Sequence, residues 1–482
     1  MRRIITMVAT CGLVSLGAIA PLPAASQADG PQMLHPRLDV RTVVDGLITP
    51  TSMAFLGSDD ILVGEKQTGR VMRVTGDTVQ GPVLDLAVNN ASERGLLGVA
   101  LHPDFPANPG VYLYWTESTT GADSGNLDDT PLLGNRVDRF VWDGSSLAFD
   151  QNVIRLRALQ PPNPPHETRA FGNHDGGVIA FGPDEKLYVF IGDVGRRGQT
   201  QNLPLGPFGD GSPDDQFGGP EPDDAHLTGV MLRLNDDGTA PVDNPFFDVG
   251  ASVGGEVGAN IQKIFSYGHR NSFGFDFDPK SGDLWLEENG DDSFTELNRV
   301  EPGMNGGWIQ IAGPVSRIAQ FRDIETTFGA MSLQQDRWPP TNIAESPEQA
   351  LDRLFMLPGA HYSDPEFSWK FEVAPAALGF VDGPGLGRQF DGDMFLGGAR
   401  DFLEGGHLFH FNLTGNRQKI AVDDPRLDDR VADNLDKFDI TESESLLIGR
   451  EFGVLTDLET GPNGNMFAVS LSHGAVYEIF RR

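Results

Sequence analysis

Cysteine is nearly missing from this sequence: of 482 residues, Cys11 alone carries a thiol. That count excludes a disulfide framework, a Cys-ligated zinc, an iron–sulfur cluster and covalently attached c-type haem. Positive charge is also scarce, with 36 Lys and Arg against 69 Asp and Glu and a formal net charge of −33. A chain this acidic repels nucleic acid and anionic membrane surfaces, so neither is an expected partner. No Gly-Lys phosphate cradle occurs and no dinucleotide-type glycine pattern follows a strand, so a nucleotide cofactor is not expected either. Long apolar runs are confined to residues 4–20. That run is slightly short of the roughly 20 residues a membrane span needs. Arg2 and Arg3 precede it, and Pro21, Pro23, Ala24, Ala25, Ser26 and Ala28 follow. The order reads as an export signal over residues 1–28, cleaved near Ala25 or Ala28. The expected location is periplasmic or secreted, with no membrane span in the mature chain, and Cys11 leaves with the signal.

What is abundant is turn chemistry: Gly (59) and Pro (34) are both frequent, and few stretches read as amphipathic helix. One pattern recurs, an apolar strand, a Pro/Asp/Gly turn and a second strand of large apolar residues. Ala54-Phe55-Leu56 turns into Ile61-Leu62-Val63, and Ala100-Leu101 turns through Pro103-Asp104 into Val111-Tyr112-Leu113-Tyr114. Ala180-Phe181 leads to Leu187-Tyr188-Val189, Phe275-Asp276-Phe277 to Leu284-Trp285-Leu286, and Phe390-Asp391-Gly392 to Met394-Phe395-Leu396, with Phe380 upstream as a first-strand candidate. Thr460-Gly461-Pro462 leads to Met466-Phe467-Ala468-Val469. Third strands follow at residues 70–74, 229–234, 407–411 and 475–479. A small sheet of this kind cannot bury both faces alone, whereas sheets stacked radially bury each other. Six copies predict an all-β fold, a six-bladed β-propeller with long inserted loops at 118–173, 196–228, 311–372 and 412–450. Residues 29–45 read as an N-terminal extension and 46–482 as the propeller. Loops at one end of such a ring usually build the site.

Several segments carry a family likeness. They are Glu93-Arg94-Gly95-Leu96-Leu97-Gly98 running on to His102-Pro103-Asp104-Phe105, His174-Asp175-Gly176-Gly177 running on to Gly182-Pro183-Asp184, Tyr267-Gly268-His269-Arg270-Asn271, Glu288-Asn289-Gly290, Glu296-Leu297-Asn298 and Asn305-Gly306-Gly307-Trp308. Together they resemble the soluble quinoprotein glucose/sorbosone (aldose) dehydrogenases, from Gly46 to Ile479. The resemblance implies a six-bladed propeller that oxidises an aldose sugar at its C1 hydroxyl to the lactone. It also implies pyrroloquinoline quinone and Ca²⁺ as cofactors, with an external electron acceptor as partner. His174 matches that family's catalytic base, a role suited to an imidazole that titrates near working pH. Asp175 is expected to orient that ring or to touch cofactor, and Glu93 to make a polar contact beside the base. Arg270 and Asn271 match the cofactor-binding pair, the guanidinium suiting the three carboxylates of the quinone. The backbone carbonyls of Gly290 and Asp291 match those that hold the calcium, for which backbone oxygen is a good hard ligand. Tyr362 and Trp369 lie where relatives place aromatic residues against cofactor or sugar, with ordinary burial the even alternative. Arg400 replaces the family's usual Lys. Asp291 stands where relatives carry Pro, and residues 452–457 lack an Arg common there.

Other residues point elsewhere. The acidic loop with Asp214, Asp215, Glu221 and Asp223 could hold a structural Ca²⁺ or be a solvated surface loop. Glu288, Asn289 and Asp457 would be central metal ligands if the chain were a Ca²⁺-dependent propeller hydrolase or lactonase. A cofactor-free propeller that binds carbohydrate or protein is a third reading. The Gly-x-Ser-x-Gly pattern at Gly250-Ala251-Ser252-Val253-Gly254 lies in a Gly-rich loop and reads as chance.

Overall fold

The computed structural model describes residues 30–159, 172–195, 202, 227–328, 340–400 and 403–482. The expected export signal and the acidic loop with Asp214, Asp215, Glu221 and Asp223 lie outside these residues. Among the described residues no helix is long and apolar enough to cross a membrane.

The apolar hairpins read from the sequence are strands, and their sheets make an all-β propeller arrangement. The first sheet contains Pro50–Gly57, Asp60–Glu65, Arg70–Thr75 and Thr78–Asp85. The second contains Leu96–Leu101, Gly110–Thr116, Asn135–Trp142 and Leu147–Leu156. The third is built on Ile179–Phe181, Leu187–Ile191, Val230–Leu234 and Ile264–Tyr267. The fourth uses Phe275–Phe277, Leu284–Glu288, Ser293–Val300 and Phe367–Phe371. The fifth has Pro375–Phe380, Met394–Gly398, Leu408–Leu413 and Leu447–Arg450, and the last has Leu455–Thr460, Met466–Ser470, Ala475–Arg481 and Leu38–Val44. Every residue of Gly110–Thr116 and of Leu187–Ile191 is buried. Such strands lie between two neighbouring sheets and have no solvent face, which is why they read as continuous apolar runs.

Successive sheets pack through their first strands. Pro50–Gly57 touches Leu96–Leu101, which touches Ile179–Phe181, and Phe275–Phe277 touches Pro375–Phe380, which touches Leu455–Thr460. Leu455–Thr460 returns to Pro50–Gly57 and closes the ring. Between the third and fourth sheets Tyr188, Phe190 and Met231 pack on Phe275, Leu284 and Leu286. The first strands therefore surround a common axis.

Two expectations about the chain's organisation need correction. Residues 29–45 do not stand apart from the propeller: Leu38–Val44 pairs antiparallel with Ala475–Arg481, from Leu38 opposite Arg481 to Val44 opposite Val476. Pairing one end of the chain with the other fastens the ring and covers an otherwise open strand edge. Nor are the long gaps pure insertions. Residues 118–173 include two strands of the second sheet, while 311–372 and 412–450 each end in or near the fourth strand of theirs. The fourth strand Leu147–Leu156 carries exposed polar residues, Asp150, Asn152 and Arg155, and so escaped the apolar pattern.

Leu38 is fully buried against a cluster that includes Phe390, Leu408, Phe452 and Tyr477. Leu38→Ala should cost about 2–5 kcal/mol, the range for emptying a core leucine site. The urea midpoint measures it. A midpoint unchanged from the parent would show that the N-terminal strand does not fasten the ring.

Candidate functional site

The axis opens into a cavity of about 450 Å³, within the size range of small-molecule sites. First-strand residues line it, among them Ser52, Gly98, Ala180, Asp276, Leu378 and Asp457. Around its mouth stand Lys66, Glu93, His174, Arg270, Asn271, Asn289, Gly290, Asp291, Glu372, Arg400 and Lys437. Residues 174, 270 and 290 are far apart in sequence, yet the ring brings all three to this one cavity.

His174 lies in the segment entering Ile179–Phe181, with φ of 59°. That left-handed conformation is uncommon for a non-glycine residue and tends to mark sites where surroundings over-determine the backbone. Its backbone N–H donates to Glu93 Oε2 at 2.6 Å, and its ring Nδ1 lies 2.6 Å from Asp193 Oδ1. Asp193 also accepts from Trp308 Nε1 at 2.8 Å and from the Gly195 N–H at 2.8 Å. Burial pushes the Asp193 carboxyl up, but His174, Arg270 and Trp308 outweigh it and hold the group below its usual value. A charged Asp193 makes Nδ1 the protonated ring nitrogen and leaves the Nε2 lone pair available. Nε2 makes no hydrogen bond among the described residues.

Arg270 and Asn271 follow Ile264–Tyr267. The Arg270 N–H donates to Glu288 Oε1 at 2.7 Å. The guanidinium donates to the Asn289 carbonyl at 3.0 Å and to Asp291 Oδ1 at 3.1 Å, and lies 5.5 Å from the Trp308 ring centroid. Asn271 Nδ2 reaches Glu93 Oε2 at 3.4 Å. Backbone bonds tie these segments together: Asp193 N–H donates to the Arg270 carbonyl, and Asn289 N–H to the Asn271 carbonyl. Gly192 sits at the join, where a Cβ would fall 2.5 Å from the His174 carbonyl and 2.7 Å from that of Arg270. Only glycine lets the strands approach so closely.

The remaining expected residues divide. Glu93, Asn271, Arg270, Gly290, Asp291 and Arg400 all line the cavity, and Arg400 makes no ion pair among the described residues. Asp175 does not. It is fully buried behind the site, where it accepts from Asn135 Nδ2 at 2.9 Å and faces Arg94, and burial raises its carboxyl to about 6. Asp193, not Asp175, holds the His174 ring. Trp369 is fully buried with Phe367, Phe409 and Phe411, its Nε1 on Ser443 Oγ at 2.9 Å. It is core, the even alternative weighed above. Tyr362 packs beside Trp308 and donates its hydroxyl to Asp364 Oδ1 at 2.8 Å, also off the cavity. Of the hydrolase trio, Asn289 and Asp457 line the cavity; Glu288 holds His269 and the Arg270 N–H, Asn289 donates its Nδ2 to Glu287 and the Pro375 carbonyl, and Asp457 accepts from the Met53 N–H. Among the described residues no three His, Asp or Glu form a metal-holding group. Ser252 donates to the Asp248 carbonyl on an exposed helix, consistent with a chance motif.

Sequence reasoning passed over Asp193, Glu372 and Lys437, and quoted Trp308 only within a family-likeness segment without giving it a role. Asp193 ends an apolar strand at Gly192-Asp193, a position like many turns in this chain, so no local signal distinguishes it. Glu372 lines the cavity, with Oε2 accepting from Thr295 Oγ1 at 2.8 Å. Burial raises it to about 7, against the Thr295 hydroxyl and the Arg270 charge. Deeper on the axis burial raises Asp276 and Asp457 to about 7 and Glu459 well above its usual value. Glu459 keeps much of its surface accessible within the cavity, so solvent screening moderates that effect.

The glucose/sorbosone dehydrogenase family profile matches residues 47–320, more than half of the chain. The chain belongs to that family of oxidoreductases. Quinoprotein glucose dehydrogenase B of Acinetobacter calcoaceticus is 28% identical over 316 residues, 64% of this chain and 60% of that protein. The chain thus spans less than two thirds of that relative's length. An oxidoreductase of Thermus thermophilus, described as a glucose dehydrogenase, superposes with a TM-score of 0.58 at 26% identity, over 92% of this chain and all of the other. The PQQ-bound aldose sugar dehydrogenase of Streptomyces coelicolor superposes with a TM-score of 0.56 at 24% identity, over 95% of this chain and 100% of its own, a likeness of fold.

Because the folded Glu372 is raised above its unfolded value, its neutral form favours the folded state at low pH. That contribution is complete below about 4.5 and is lost as pH rises through about 7, by up to about 3 kcal/mol. Thermal unfolding from pH 4 to 8 should therefore show the parent losing stability relative to Glu372→Gln across that window. Parallel pH profiles would contradict the assignment.

Proposed function

We propose that this chain oxidises an aldose sugar at its C1 hydroxyl to the lactone, using pyrroloquinoline quinone held at the cavity mouth. In this reading each of the six sheets is one blade of a six-bladed propeller. An external electron acceptor completes the cycle, and the chain works in the periplasm or outside the cell. The observation that carries the reading is the Asp193-held imidazole of His174, lining the same cavity as the adjacent Arg270 and Asn271.

The residues present suit an anionic, planar, hydrogen-bonding group. Arg270 Nε and Asn271 Oδ1 are buried polar atoms on the cavity wall without partners among the described residues. An orphaned buried donor or acceptor is costly unless a ligand satisfies it. Arg400 adds an uncommitted cation. What the quinone supplies when bound is acceptance of the hydride leaving C1.

The chain's own part is proton handling and placement. His174 Nε2 accepts the proton of the anomeric hydroxyl. Asp193 fixes the tautomer that leaves Nε2 basic and then stabilises the imidazolium. Trp308 Nε1 and the Gly195 N–H hold Asp193 still. Glu93, bonded to the His174 N–H and to Asn271, fixes the spacing of these neighbouring segments. Calcium belongs to this reading as the cation on the Gly290 and Asp291 carbonyls.

Purified protein given pyrroloquinoline quinone, Ca²⁺ and a panel of aldoses should reduce a dye acceptor. His174→Ala should lower turnover by about 10²–10⁴-fold, the span for a lost general base, while quinone binding persists. Dye reduction without quinone, lactone or ester hydrolysis instead of oxidation, or full turnover in His174→Ala would each overturn the proposal.

A further inference from the structure

Lys437 belongs to the stretch 431–440, between Val431–Ala432, which borders the fourth sheet, and the fourth strand of the fifth sheet. Its side chain extends to the cavity mouth. The ammonium donates to the backbone carbonyl of Asp291 at 3.0 Å and to Asp292 Oδ1 at 2.5 Å. Asp292 is buried, and Lys437 keeps about a quarter of its side chain accessible. The Asp291 carbonyl is therefore already coordinated by a cation that the chain itself provides. The Asp291 carboxylate is engaged too, on the Arg270 guanidinium.

We propose that Lys437 is a tethered competitor for the divalent cation at the Asp291 carbonyl, so that a metal ion binds there only by displacing the ammonium. The inference rests on the functional reading above for the cation and for its place on the Asp291 carbonyl. The competition is electrostatic: an ammonium 3.0 Å from the carbonyl oxygen puts its positive charge within a few ångströms of any metal ion bound there, and two adjacent positive charges repel. Withdrawing the ammonium gives up two hydrogen bonds, to the Asp291 carbonyl and to the Asp292 carboxylate, the second charge-assisted and partly buried. Lys437 can leave because it is a flexible, hydratable point charge with a path to solvent. It would return when the ion dissociates. Cation affinity in this chain is thus set by a residue outside the segments that carry the family likeness.

Calorimetric titration of the full-length, quinone-free protein with Ca²⁺ tests this, supported by the shift in melting temperature. Lys437→Met should bind Ca²⁺ about tenfold more tightly or better. It also leaves Asp292 without its counter-ion, and added negative charge alone attracts cations. The double variant Lys437→Met/Asp292→Asn removes one charge of each sign and keeps the local balance of the parent. If vacating the carbonyl is what matters, the double variant also binds more tightly than the parent, and it relieves the buried charge should the single variant fold poorly. Affinity in the double variant equal to or weaker than the parent's overturns the proposal. Quinone binding is measured separately. Its failure would remove the redox reading and leave the difference in Ca²⁺ affinity to be judged by itself.

Discussion

The hydrogen bond between His174 Nδ1 and Asp193 is the contact on which the site depends. Asp193 is fully buried, and a buried carboxylate survives as an anion only with several partners. Here it has the imidazole, the Trp308 indole and the Gly195 N–H, with the Arg270 charge nearby. Those partners come from three regions of the chain, so a charged Asp193 requires the ring of sheets to be assembled. In return it fixes which nitrogen of His174 faces the cavity.

The surroundings extend that constraint. Gly192 lets the His174 and Arg270 segments pass at a distance no side chain would permit, and the Asp193 and Asn289 N–H groups stitch the segments together through their backbones. Glu93, from the turn before the second sheet, bonds to the His174 N–H and to Asn271. The His174 imidazole and the Arg270 guanidinium therefore belong to one rigid frame, the preorganisation that the proposed proton transfer would need. The frame is also crowded with charge. Arg270 is matched by Asp291 and Lys437 by Asp292, Lys66 donates to the Asn90 and Ser92 carbonyls, and Arg400 makes no ion pair among the described residues. An anionic ligand gains most from that residue and from whatever it can win from the paired ones.

The repeating fold was legible because each hairpin alternates apolar strand, Pro/Asp/Gly turn and apolar strand, a pattern set by burial between neighbouring sheets. Hairpins such as those around Pro183-Asp184 and Pro462-Asn463 appear where that pattern puts them. Outer strands such as Leu147–Leu156 were not legible, since their exposed faces take polar residues. The Leu38–Val44 strand was missed for a different reason: its partner is more than 400 residues away, and local pattern cannot show a pairing that closes a ring. In the site, His174, Arg270, Asn271 and Glu93 came from motif likeness and do share the cavity. Asp175 was expected to orient the ring or touch cofactor because it adjoins His174 in sequence, whereas side-chain direction sends it to Asn135 and Arg94, and Asp193 carried no such signal. Trp369 alternates on a strand and its face turns to the core, a choice of face that depends on register with a strand the sequence did not reveal.

The central claim is that Arg270 and Asn271, beside His174 on the cavity wall, accept a planar polycarboxylate. Fluorescence titration of the cofactor-free protein with pyrroloquinoline quinone, with no sugar present, tests this most directly. The account predicts saturable one-to-one binding that weakens by at least about tenfold in Arg270→Met, a loss expected for a charge-assisted pair. Absence of saturable binding, or equal affinity in the variant, would contradict it.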